Sequence, residues 1–105
     1  MNSLDYVWEK LHVAVSVLVG AASIQDRLYD AFISALMVLT EEDFPKELRA
    51  DFAFIEESLT SVEGVGDEGS ARASADALND DEAAKVADKI FELFTAIIEL
   101  ENDER

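Results

Sequence analysis

The chain contains no cysteine, so disulfides, zinc ribbons and thiol catalysis are all excluded. It holds one histidine, one proline and four glycines in 105 residues. Few points therefore force a helix to stop, and a serine nucleophile would have His12 alone as its base. Basic residues are scarce as well: 8 Lys and Arg stand against 24 Asp and Glu, a formal charge of −16. The acids are spread through both halves and leave no basic patch. Direct binding to nucleic acid is disfavoured, because phosphate neutralisation supplies most of that affinity, and anionic membranes are disfavoured for the same reason. Long apolar runs are missing too. The longest, "VAVSVLVGAA" from Val13 to Ala22, is about half of what a bilayer requires. The segment before it sets Asp5 and Glu9 against a single Lys10 and so lacks the positive start of a signal peptide. The run is expected to be mature structure in a cytoplasmic protein.

What the chain does have is apolar content at helical spacing. Half of its residues are hydrophobic, too many for a disordered acidic tail. Residues 1–105 suffice for one helical domain, with helices expected at about 4–19, 24–39, 44–60 and 80–101 and a loop at about 61–78. In the first helix Val7, Trp8, Leu11, Val15 and Leu18 share a face; alternating Val13, Val15, Val17 and Val19 offer a strand signal, but no partner strand exists elsewhere. Ser23 and Asp26 pair as a cap for the second helix, whose core stripe is Ile24, Leu28, Phe32, Ala35, Leu36 and Leu39. Pro45 suits the first turn of the third helix, where Phe44, Leu48, Phe52, Ile55 and Leu59 face inward. "SARASADAL" has the composition of a short helix. Asn79 caps the last helix with Glu82 reaching back, and Ala83, Val86, Ile90, Leu93, Ile97 and Leu100 form its seam. The economical fold is all-α: an antiparallel four-helix bundle with a glycine-containing loop before the last helix.

Several motifs advertise chemistry and fail on context. "GVGDEGS", Gly64 to Ser70, has the spelling of a phosphate cradle, which requires a strand before it. A helical segment precedes it, Glu63, Asp67 and Glu68 surround it, and no Lys or Arg lies within it. It reads as a hinge between the third and last helices. Glu9 and His12 form one Glu-x-x-His unit, whereas di-iron bundles need two. The acidic run at Asn79 to Glu82 lacks the glycine and ligand spacing of a calcium loop. No carboxylate pair is placed to converge in a cleft. The expectation is no catalytic residue, no metal site and no cofactor.

Three segments together resemble a set of small helical bacterial proteins with no assigned function: "SIQDRLYDAFISAL" (Ser23 to Leu36), "DFPKELRADF" (Asp43 to Phe52), and "GDEGSARAS" leading into "DDEAAKVADKIFELF" (Gly66 to Phe94). The resemblance implies a bacterial protein and transfers no functional residue.

The remaining signal is surplus apolar surface at Tyr29, Ile33 and Met37 on the second helix, Phe54 on the third, and Phe91 and Ile98 on the last. Interface cores are enriched in aromatics and Met. These six residues are the candidate interface of a non-enzymatic interaction module. Its expected partner is a basic protein, drawn by the acidic surface, or a second copy in a homodimer. The alternative is a helical bundle that binds a small ligand or a metal through carboxylates.

Overall fold

The computed structural model describes residues 3–64 and 66–103. Five α-helices form: α1 (Ser3–Leu18), α2 (Ile24–Ser34), α3 (Arg49–Ser58), α4 (Gly66–Ala77) and α5 (Asp80–Asp103). Among the described residues there is no strand, and no helix is long and apolar enough to cross a membrane. α1, α2 and α5 pack on one another; α3 lies against α5, and α4 lies against α2.

Local chemistry sets the helix ends. The Ser23 hydroxyl accepts the Asp26 amide at 3.1 Å and caps α2. Just before it, Arg27 donates to the carbonyls of Leu18 (2.7 Å) and Ala22 (2.8 Å), satisfying an orphan acceptor at the end of α1. At the start of α5, Asn79 Oδ1 accepts the Glu82 amide at 2.8 Å while Glu82 accepts the Asn79 amide at 2.9 Å, a complete capping box. Gln25 ties this end of the molecule together by donating to Leu78 O and Asp80 Oδ1, both at 3.0 Å.

One apolar core runs through all five helices. α5 buries Ala83, Val86, Ile90, Leu93 and Ile97, as its seam predicts. The buried face of α1 is Leu4, Val7, Leu11 and Ala14, rotated from the expected stripe so that Trp8 stays 37% exposed and Val15 and Leu18 are half-buried.

Two helices are shorter than their periodicity suggests. α2 ends at Ser34, because Ala35 leaves helical geometry (φ −146°, ψ −49°), and a 3-10 turn at Leu36–Val38 follows. Leu36 and Leu39 are buried all the same. α3 begins only at Arg49. Phe44 precedes a proline and is extended (ψ 150°), as steric conflict with the proline ring favours. Pro45 is extended too (ψ 149°), so 3-10 turns at Glu41–Asp43 and Lys46–Leu48 carry the chain into the helix. The Phe44 ring then stacks on Phe52 at 4.7 Å.

The largest departure is α4, which occupies most of the expected 61–78 loop: "SARASADAL" is helical through Ala77, as its composition suggests, but the helix already begins at Gly66. Its contact stripe is Ala71, Ser74 and Ala75, all buried, at helical spacing but built of small side chains; half-buried Leu78 follows just past the helix end. Small residues let α4 approach α2 closely. The buried Ser74 hydroxyl accepts the Val62 amide at 2.9 Å and lies 3.4 Å from the Val62 carbonyl, to which it donates. Outside this seam, Arg72 bridges Asp26 and Asp76 and lies 4.5 Å from the Tyr29 ring centroid. The glycine motif thus opens a helix but follows a helix and turn. A Cβ on Gly64 would collide with the Gly69 carbonyl, which accounts for a glycine there without a ligand. Val65, inside the motif, lies outside the described residues.

Candidate functional site

The six candidate interface residues fall into three places. Tyr29, Ile33 and Met37 are half-buried and pack against the core, and α4 lies along α2 with Arg72 over Tyr29. Phe54 is 44% exposed on α3, beside a cleft it shares with Leu78, Lys85 and Val86. Phe91 and Ile98 sit together on the flank of α5 that faces α1, away from Phe54.

That flank is where exposed aromatic surface gathers. At about 100° per residue, Ala87, Phe91, Phe94 and Ile98 share one side of α5, and Trp8, His12 and Val15 share the side of α1 turned toward them. The Trp8 and His12 rings stack at 5.0 Å with 12° between their planes, and each lies 6.2 Å from the Phe94 ring. Asp5, Trp8, Ile98, Glu101 and Asn102 line a cleft at the end of this face. Phe91 is 56% exposed, and Val19, in the turn just after α1, is 79% exposed. Glu101 is the charged residue of α5 in that end cleft; Lys85 and Lys89 turn toward α3, where Lys89 bridges Asp51 (3.5 Å) and Glu92 (3.3 Å), and Asp88 and Glu99 are exposed on the far side of α5 from α3.

Trp8 and His12 are the members that the sequence assignment missed. Trp8 is expected in the core stripe and His12 on the polar side; the structure rotates α1 so that both border α5. Their i, i+4 spacing was a usable signal, since such residues stack along a helix.

The polar chemistry is sparse. Among the described residues, no group of three or more His, Asp or Glu could hold a metal ion, and no buried side-chain nitrogen or oxygen lacks a hydrogen-bond partner. No orphaned polar atom there points to an absent ligand. The Arg72 guanidinium is held above its ordinary pKa, chiefly by its hydrogen bond to Asp76, with burial acting against the shift. Lys89 is also raised, by its hydrogen bond to Glu92 and then by the charge of Asp51. Both are ion-pair effects on bases that brace neighbouring helices.

Three surface clefts measure about 190 Å³ (Phe32, Met37, Thr60, Ser70), 290 Å³ (the Trp8 cleft) and 210 Å³ (the Phe54 cleft). The Trp8 cleft lies at the lower edge of the roughly 300–1,000 Å³ usual for small-molecule sites, and the other two lie below it. No protein-family model, curated protein or solved structure matches the chain at a significant level.

Proposed function

We propose that the chain is a non-enzymatic interaction module that docks another protein, or a second copy of itself, on the face formed by α1 and α5. The observation that carries this reading is the exposure of Phe91, at 56%, on the apolar side of α5 that also carries Ala87, Phe94 and Ile98, in a chain of net charge −16. Single exposed apolar residues need no explanation, but a contiguous patch rimmed by polar groups marks an interaction site. Trp8, Phe94 and Ile98 make this patch contiguous.

An antiparallel core of α1, α2, α3 and α5, with α4 added outside α2, is part of the proposal. Its support is the residue pairing of α1 with α5: Asp5 and Trp8 lie beside Ile98 and Asn102, while His12 meets Phe94 one turn back. A bacterial cytoplasmic setting belongs to the proposal as well; its bacterial part rests on the resemblance to small helical bacterial proteins.

Photo-crosslinking in living cells tests the docking face. With benzoylphenylalanine in place of Phe91, irradiation is expected to give a discrete crosslinked adduct. The same group at Glu57, exposed on α3, is expected to give none. Equal adducts from both positions, or none from position 91, would overturn the reading.

A further inference from the structure

We infer that the occupant of the α1–α5 face is an amphipathic helix of another protein, with an apolar stripe flanked by Lys and Arg. The inference rests on the docking reading above and commits it to one partner class.

Shape and charge both favour this occupant. Where α1 and α5 pack, Trp8 meets Phe94 and Ile98, with Phe91 exposed beside them on α5; this junction of the two helices is the trough for the partner, and the flank of α5 from Ala84 to Asn102 runs about 27 Å at 1.5 Å per residue. A partner helix of about 18 residues matches that length, laying its apolar face along the trough as helix-in-groove recognition does. The borders supply the sign. On the α1 side they are Asp5 and Glu9, and on the α5 side Asp88 and Glu99, all exposed, with Glu101 lining the cleft at the end of the face. The nearest bases are turned away: Lys10 lies 5.7 Å from the Tyr6 ring centroid, Lys85 lines the Phe54 cleft, and Lys89 is engaged by Asp51 and Glu92. A second copy in this trough would set acidic border against acidic border, a juxtaposition that complementary interfaces avoid. A helix with basic flanks would instead meet an acid on either side, and its cations could also reach the exposed part of the Trp8 ring.

The test titrates the full chain with three synthetic peptides of about 18 residues. One is a Leu/Ala helix with Lys and Arg flanking the stripe, one carries the same stripe with Glu flanks, and one is a scramble of the basic peptide. Calorimetry and amide chemical shifts in low salt read the binding. The basic helix is expected to bind with a dissociation constant on the order of 10 µM and to shift the amides of Trp8, His12 and 91–98, with the other two peptides at least about tenfold weaker. Phe91→Ala, a substitution on an exposed helical surface, is expected to weaken binding about fivefold or more with an unchanged circular dichroism spectrum. Equal binding of the scramble, shifts centred on the acids at 41–47, or no binding of the basic helix would overturn the inference. If the peptides fail while position 91 still crosslinks in cells, docking stands and the helical partner falls. A dimer in sedimentation that Phe91→Ala dissolves would assign the trough to a second copy and overturn this inference alone.

Discussion

Phe52→Ala is expected to lower the unfolding free energy by about 3–5 kcal/mol, the range for emptying a buried aromatic site. The Phe52 ring is 1% exposed and stacks on Phe44, itself 2% exposed, at 4.7 Å. Phe44 lies before α3 and Phe52 within it, so removing one ring strips the other of its partner where the 41–48 segment joins the core. A domain of this size has a total stability of about 5–15 kcal/mol, so the variant keeps little margin. Urea unfolding followed by circular dichroism checks it: the midpoint should fall steeply with the slope unchanged. A loss below about 1 kcal/mol would show that this stack contributes little to the fold.

The second large effect is expected at α4. Ala75→Leu should destabilise by about 1–3 kcal/mol, because the added side chain has to enter a seam already closed by small residues. Ala75 is fully buried, and its neighbours Ala71 and Ser74 are as well. Ala77→Leu, on the exposed side of the same helix, should change stability by no more than about 0.5 kcal/mol. The pair separates overpacking from any general effect of leucine in this helix. The same urea titration reads both variants, and equal midpoints would mean that α4 does not rest on α2.

The α4 seam also explains where sequence reasoning stopped. The long α5 was legible because its buried residues are large and its cap is formed by Asn79 and Glu82, both visible in the letters. Ala71, Ser74, Ala75 and Leu78 have the same spacing, but alanine and serine carry too little apolar surface for periodicity to stand out. Glycine at 64 and 69 then drew the segment toward a loop. The shortened α2 and α3 have a different origin: Leu36, Leu39 and Phe44 are buried from 3-10 and extended backbone, so a pattern of core residues persists where the α-helix does not. As for the candidate site, Phe54 and Phe91 are exposed as their positions off the stripes suggested. Whether two such residues share a face depends on which side of α5 each neighbour takes. That is a tertiary fact, and it also brought Trp8 and His12 to Phe94.

If the α1–α5 face is surface that the fold itself does not require, then its most exposed ring should be dispensable for stability. Equilibrium urea unfolding of Phe91→Asn measures this directly, since Phe and Asn differ little in helix propensity. The expected result is an unfolding free energy within about 0.5 kcal/mol of the parent chain. A loss of about 2 kcal/mol or more would place the ring in the core and contradict a docking face at Phe91.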